Sequence, residues 1–358
     1  MMPHFHTLAV AEIRRETEEC VSIAFDVPET LASEYQYIQG QYLTLKTDID
    51  GEEVRRSYSI CSCPLDNELR VAVKEVPGGK FSTYANQELS PGDELKVMTP
   101  IGKFYTELDA SNGKHYVAFV AGSGITPVMS IMKSVLRTEP NSYFTLFYGN
   151  KNFDSIIFRD EIEALKNDYL QRLSVYHLLS REITDAPLFN GRLSGEKANH
   201  FLDRLFDWKK VDEFFLCGPG EMIMDIKDTL IQKGVDKKKV HFELFTTPGQ
   251  PKAAPKPVVE KAEEDYDSQL EVTLDGITYS FGLDEDGPNV LDAALHHGAD
   301  VPFACKGAVC CTCKAKVLEG EVEMEMNYAL EDGELEAKYV LTCQSHPRTA
   351  KVSISFDE

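Results

Sequence analysis

Nine cysteines are present, and four of them fall between Cys305 and Cys313. Four residues separate Cys305 from Cys310, two separate Cys310 from Cys313, and twenty-nine more precede Cys343. This C-x4-C-x2-C…C spacing is that of a plant-type [2Fe–2S] site. Two irons bridged by two sulfides need four thiolates in a compact shell. A tight loop can supply three of them, and its small residues, Gly307 and Ala308, let backbone N–H groups reach the sulfurs. The fourth must return from elsewhere, and Cys343 does so after the strand-like Tyr339-Val340-Leu341. Cys305, Cys310, Cys313 and Cys343 are therefore the expected ligands. The alternative is a zinc knuckle, but such sites pair two ligand sets and only one C-x2-C is present. A Rieske centre needs histidines, and His296 and His297 lie outside the loop, where they read as a helix end before Gly298. Cys311 is spare, because using it breaks the spacing. It reads as a partly buried filler.

Four further motifs suit anionic ligands. Arg56-Ser57-Tyr58-Ser59 closes a strand pattern, and Gly78-Gly79-Lys80-Phe81-Ser82 opens a short helix. A glycine turn at a helix start offers backbone N–H groups to an anion. Gly122-Ser123-Gly124-Ile125-Thr126-Pro127 follows one strand and precedes a helix, and Cys217-Gly218-Pro219-Gly220 does the same later. Glycines there permit the close approach of a pyrophosphate. Taken singly, each motif has a plainer reading, as a basic residue before a half-buried strand or an ordinary turn.

These motifs need particular elements to hold them. Residues 7–107 alternate short apolar runs with turns such as Pro77-Gly78-Gly79 and Pro91-Gly92-Asp93, which predicts an antiparallel barrel or sandwich. From His115 onward, strand and helix patterns alternate. Strands are expected at His115–Ala121, Tyr143–Tyr148, Ser174–Leu179, Glu213–Cys217 and Val240–Phe245, with helices between them, one of them over Phe158–Lys166. That alternation predicts a parallel α/β sheet. The run Pro248-Gly249-Gln250-Pro251 and the acidic stretch after it read as an extended linker over 248–268. The expected division is 1–109, 110–247, linker, and 269–358. Of 358 residues, 37 are basic and 59 acidic, a net charge of −22. Residues 269–358 hold six basic and seventeen acidic ones, half of that net charge. Such a balance argues against nucleic-acid and anionic-membrane partners. The start lacks a secretory pattern, and clustered thiols suit a reducing, cytoplasmic setting.

Taken in order, the motifs resemble the ferredoxin–NADP reductase superfamily over residues 5–247, and residues 269–358 resemble a plant-type ferredoxin. The resemblance implies an antiparallel FAD barrel, an α/β nucleotide domain and an α+β (β-grasp) ferredoxin domain. It implies that Arg56 holds the FAD pyrophosphate, Tyr58 stacks on the isoalloxazine, and Ser59 lies near its reactive nitrogen, with Ser57 in the same motif. Gly79 and Ser82, in the run with Lys80 and Phe81, would help hold the FAD phosphates. Gly122, Gly124, Thr126 and Pro127 match the pyridine-nucleotide loop. Cys217, Gly218 and Pro219 match the segment beside the nicotinamide, and Glu243 and Phe245 the strand that closes near the flavin. Catalysis here means positioning by Ser59, Cys217 and Glu243.

The domain order resembles reductase components of multicomponent di-iron oxygenases of the phenylacetyl-CoA epoxidase kind. Phe303–Gly307, Cys310–Cys313, Val317–Val322 and Met326–Leu330 carry that likeness. Reductases of ketosteroid hydroxylation share the architecture. The implied partner is an oxygenase component. The second predicted strand ends Tyr148-Gly149-Asn150-Lys151, without the acid that would hold NAD ribose hydroxyls. Ser180-Arg181 resembles a 2′-phosphate site, so NADPH is expected over NADH. Arg181 as a solvated residue is the alternative. A non-enzymatic electron carrier or redox sensor with a vestigial nucleotide domain is the reading from another class. The intact Arg56–Ser59 and Gly122–Pro127 motifs weigh against it.

Overall fold

Short alternating strands punctuated by Gly and Pro turns build the first layer. In the computed structural model, which describes residues 4–245, 262 and 266–358, the chain divides into two compact units after Pro248. The first unit opens with β1 (Phe5–Thr17), β2 (Cys20–Asp26), β3 (Tyr42–Ile49), β4 (Glu52–Ser59), β5 (Leu69–Lys74), α1 (Lys80–Gln87) and β6 (Glu94–Met98). These strands form one antiparallel sheet in the order β4-β3-β6-β1-β2-β5. Its two edges meet beyond β4, where Ile60 bridges to Val71 and the Cys61 N–H reaches the Arg70 carbonyl at 2.9 Å. The sheet curls because alternate residues, among them Leu8, Ile23, Leu43, Leu45, Val71 and Val97, face a shared interior. Phe81 and Ala85 of α1 belong to the same core.

The alternating half contains β7 (His115–Ala121), α2 (Ile125–Thr138), β8 (Tyr143–Asn150), α3 (Arg159–Asp168), β9 (Leu173–Leu179), α4 (Gly195–Arg204), β10 (Glu213–Gly218), α5 (Gly220–Gln232) and β11 (Val240–Leu244). All five strands run parallel in the order β11-β10-β7-β8-β9. The order reverses between β7 and β10, and the crevice at their C-terminal ends is where such sheets bind ligands. The helix expected from Phe158 starts at Arg159. Phe158 itself is left-handed, with φ +60°, which ends the preceding loop instead of continuing the helix.

The second unit contains β12 (Ser268–Leu274), β13 (Ile277–Leu283), α6 (Val290–His296), β14 (Lys314–Glu319), β15 (Val322–Met324), α7 (Asp332–Glu336), β16 (Tyr339–Leu341), β17 (Ser345–Pro347) and β18 (Lys351–Ser355). Its main sheet runs β13-β12-β18-β14-β16, with β12 and β18 parallel and the other pairs antiparallel. Val290, Leu291 and Ala294 of α6 share a core with Leu270, Val272 and Ile354 of the sheet. This is a β-grasp arrangement. The loop after α6 carries Cys305–Cys313, and the turn Thr342–Gln344 after β16 carries Cys343. The linker expected over 248–268 lies outside the described residues, apart from Ala262 and Tyr266–Ser268. Among the described residues no helix is long and apolar enough to cross a membrane.

Candidate active site and metal centre

The barrel brings the first two motifs to one surface. β4 ends in Arg56-Ser57-Tyr58-Ser59, with Arg56 exposed, Tyr58 half-buried and Ser59 buried. The Tyr58 ring lies 5.4 Å from Phe81 of α1, and Phe81 meets Tyr84 edge-on at 6.3 Å. α1 therefore sets the pose of Tyr58. Ser57 shares a hydrogen bond with Thr44 of β3 at 3.1 Å. Gly79 caps α1 without a side-chain cap, so the first N–H groups of the helix are left for an anion. A Cβ on Gly79 would sit 2.5 Å from the Ser82 hydroxyl. That hydroxyl is already engaged, donating to the Gly79 carbonyl and accepting from Val76 N–H. Its work is to shape the turn. Lys80 pairs with Glu52 across the same surface.

The crevice between β7 and β10 holds the next two motifs. Gly124 lies so close to β10 that a Cβ would stand 2.3 Å from the Cys217 carbonyl oxygen. Only glycine permits that approach. Gly122 has φ +55°, and its carbonyl accepts from the buried Tyr148 hydroxyl at 3.1 Å. Thr126 and Pro127 are buried in the first turn of α2, with the Thr126 hydroxyl donating back to the Ser123 carbonyl at 3.0 Å. Gly218 follows at φ +155°, Pro219 is exposed, and α5 begins at once. Cys217 is fully buried, which pushes its thiol well up, so it acts as packing beside the crevice and not as a nucleophile.

β11 joins this crevice to the barrel. Glu243 pairs in register with Cys217, and the Ser59 hydroxyl donates to its carboxylate at 2.9 Å. Ser59, Cys217 and Glu243, spread over 184 residues, thus meet at one point. Phe245 follows, exposed, just past the strand. Burial pushes the Glu243 carboxyl from its usual 4.5 up to about 7, and the Ser59 hydrogen bond pulls only partly the other way. The folded state therefore holds this proton more tightly than the unfolded chain. Stability is fullest below 4.5 and falls as pH rises through about 7. Glu243→Gln is expected to remove that slope. In urea unfolding between pH 5 and pH 8, the variant should gain on the parent as pH rises. A constant difference would show an ordinary carboxyl.

Ser180 and Arg181 follow β9. Their N–H groups bond to the Asn150 and Lys151 carbonyls at 3.0 and 2.7 Å, so they stand at the C-terminal edge beside the end of β8. Arg181 is exposed and makes no ion pair among the described residues, while the Glu182 carboxylate is taken up by Phe153 N–H.

In the second unit the four thiols come as two pairs. Cys310 Sγ lies 3.1 Å from Cys305 Sγ, and the Cys313 and Cys343 thiols act on each other as a second pair. Among the described residues no three His, Cys, Asp or Glu side chains gather as a single ion would need. Two pairs suit two irons, each completed by bridging sulfide. Lys306 and Ala308 have φ of +49° and +61°, which curls the loop so that its N–H groups turn inward. The Cys310 thiol and the N–H groups of Gly307, Val309 and Cys310 hold Cys305 down to about 6. Cys343 is likewise lowered by Cys313, the Gln344 side chain and Ala308 N–H. Their partners Cys310 and Cys313 are pushed up instead, so each pair holds one thiolate-ready sulfur, and the N–H donors around the loop fit the cluster. Cys311 is half-buried, and its thiol donates to the Ala329 carbonyl at 3.3 Å.

The family pattern "Oxidoreductase FAD-binding domain" matches residues 7–105, "Oxidoreductase NAD-binding domain" residues 119–228, and "2Fe-2S iron-sulfur cluster binding domain" residues 272–348. The chain is 44% identical to a 1,2-phenylacetyl-CoA epoxidase subunit of Escherichia coli (strain K12), covering 99% of both chains. It is 34% identical to the ferredoxin reductase component of 3-ketosteroid-9-alpha-monooxygenase of Rhodococcus rhodochrous, over 98% of this chain and 96% of that one. The chain belongs to this family of oxygenase reductase components. It is an oxidoreductase with FAD, NAD(P) and 2Fe–2S domains. The fold also matches that of phthalate dioxygenase reductase, with a TM-score of 0.56, 19% identity and 98% coverage of both chains.

The reductase uses residues that no motif marked. Asp66, in a capping turn of the barrel, receives Lys133 at 2.5 Å and also pairs with Arg137, both from α2. Lys133 continues to Glu161 of α3 at 2.7 Å, and the Ser130 hydroxyl donates to the Ser62 carbonyl at 2.6 Å. This seam fixes α2, and with it the Gly122–Gly124 loop, against the flavin barrel. Asp66 and Lys133 are 67 residues apart, so no local spacing could have paired them.

Proposed function

We propose that this protein draws electrons from NADPH and delivers them to an oxygenase component of the phenylacetyl-CoA epoxidase type. The observation that carries the reading is the 44% identity over 99% of both chains, joined to an uninterrupted set of flavin, nucleotide and cluster motifs. The bound groups supply hydride acceptance, single-electron delivery and electron exit. The chain supplies their placement. Arg56 and the open start of α1 hold the flavin diphosphate, and Tyr58, backed by Phe81, offers a ring face. Gly122, Gly124 and the first turn of α2 receive the nucleotide pyrophosphate. Cys217 and Glu243 wall the point where nicotinamide meets flavin, and Ser59 keeps the Glu243 carboxyl in place. Holding reacting atoms at ~3–3.5 Å is the catalytic contribution. Cys305, Cys310, Cys313 and Cys343 ligate the cluster.

NADPH is favoured over NADH by Arg181, an unpaired forked cation that suits a phosphate dianion, while the neighbouring Ser180 hydroxyl is engaged, donating to the Asn150 carbonyl at 3.2 Å. Electron exit is toward a basic face of the partner. Residues 321–336 contain seven acidic residues and no basic one. They pack on the cluster loop through Tyr328 N–H to the Ala308 carbonyl and Cys311 to Ala329. The test is NADPH-driven epoxidation of phenylacetyl-CoA with the oxygenase component added. Turnover is expected, and it should fall as salt rises and screens the docking charges. Turnover with a ketosteroid hydroxylase instead would move the assignment to that branch. Salt-independent coupling would remove the acidic docking face.

A further inference from the structure

Gln344 follows the fourth cluster cysteine directly and is buried, with 5% of its surface exposed. Its amide nitrogen has three acceptors around it. The Cys343 carbonyl is at 2.8 Å, the Cys343 sulfur at 3.5 Å, and the Lys306 carbonyl at 3.5 Å. Its amide oxygen is also buried and has no hydrogen-bond partner among the described residues. Turning the amide over would set that oxygen against two carbonyls and a sulfur, so the orientation is fixed by chemistry. An unpaired buried carbonyl is unfavourable. For packing alone, methionine or leucine would fill this space without that cost. What glutamine adds is the donor.

The three acceptors join separate parts of the fold. Lys306 sits in the loop of the first three cysteines, at φ +49°, while Cys343 arrives on the turn after β16. One amide therefore spans both sides of the metal centre. We infer that Gln344 is a tuning residue of the cluster, whose side-chain N–H donates to the Cys343 sulfur and raises the reduction potential while tying the fourth ligand to the loop. A donor on a ligand sulfur withdraws electron density from it. It thereby stabilises the more negative, reduced form. The inference rests on reading the four thiols as a [2Fe–2S] site.

Two measurements on the full-length, cluster-loaded protein test it. The first is a redox titration of Gln344→Met against the parent, followed by visible absorbance and by EPR of the reduced cluster. The variant is expected to keep its cluster and to unfold no earlier than the parent. Its electron equilibrium should shift from cluster toward flavin by on the order of tenfold, equivalent to 59 mV for one electron. An unchanged potential in a loaded variant would overturn the inference. The second measurement uses the parent protein with 15N at its glutamine side chains. Pulsed EPR of the reduced cluster should detect a 15N coupling, and its absence would also overturn the inference. This decides the question even if the variant loses its cluster. A parent protein with no reduced-cluster signal at all would instead refute the [2Fe–2S] reading.

Discussion

Cys343→Ser is expected to leave a protein whose flavin is still bleached by NADPH but which cannot drive an oxygenase. The two thiol pairs explain why. Each iron would draw on one pair, Cys305 with Cys310 and Cys313 with Cys343, so one lost thiolate leaves one iron half-held. The same loss is expected for Cys305→Ser, Cys310→Ser and Cys313→Ser. Cys311→Ser should behave otherwise, because that thiol is turned to the Ala329 carbonyl. Its visible spectrum should match the parent's. Because ligand binding and folding are coupled at such centres, the four ligand variants should also unfold their C-terminal domain at lower temperature. The flavin and nucleotide motifs lie in the other compact unit, so ferricyanide reduction, which draws on flavin directly, should persist. Absorbance, iron content and the two acceptor assays together check this. Cluster loss in Cys311→Ser with retention in Cys310→Ser would overturn the ligand assignment.

The second large effect concerns the choice of nucleotide. Arg181→Ala is expected to lower kcat/KM for NADPH by about ten- to a hundredfold, the loss of one charge-assisted contact at roughly 1.5–3 kcal/mol. NADH, which lacks the 2′-phosphate, should be almost unaffected. The position of Arg181 supports this asymmetry. Its backbone is pinned to Lys151 beyond the end of β8, while its guanidinium has no ion-pair partner among the described residues. Removing it leaves no internal charge unpaired, so folding should be intact. Steady-state kinetics with both nucleotides is the measurement. Equal losses would mean that Arg181 does not face the 2′-phosphate.

How much of this was legible in the chain depends on distance along it. The cysteine loop is local: nine residues contain three ligands, and their spacing states the chemistry. The alternation of β7 through β11 with helices is also local, because short apolar runs such as Tyr116–Val120 and the helical spacing of Val128, Ile131, Met132 and Val135 are visible within single elements. Phe158 shows the limit of that kind of reading. Its apolar side chain fits a helix pattern, yet its backbone is left-handed and α3 starts one residue later. Long-range contacts could not be read from spacing. The Ser59–Glu243 hydrogen bond exists because β11 is the edge strand beside β10 and the barrel stands against the crevice mouth. The Asp66–Lys133–Glu161 seam depends on how α2 is laid on the barrel, which no single segment encodes. Gln344 gave no signal of its own, since a glutamine after a cysteine is ordinary until the fold brings Lys306 to it.

On this reading electrons pass in order from nucleotide through flavin to cluster within one chain. Anaerobic addition of NADPH to the full-length protein tests it most directly, with flavin absorbance and the EPR signal of the reduced cluster followed together in time. The flavin is expected to bleach first, and the cluster signal then to grow as flavin colour partly returns. A flavin that bleaches while the cluster stays oxidised, with no electron reaching it before an acceptor is added, would rule that path out.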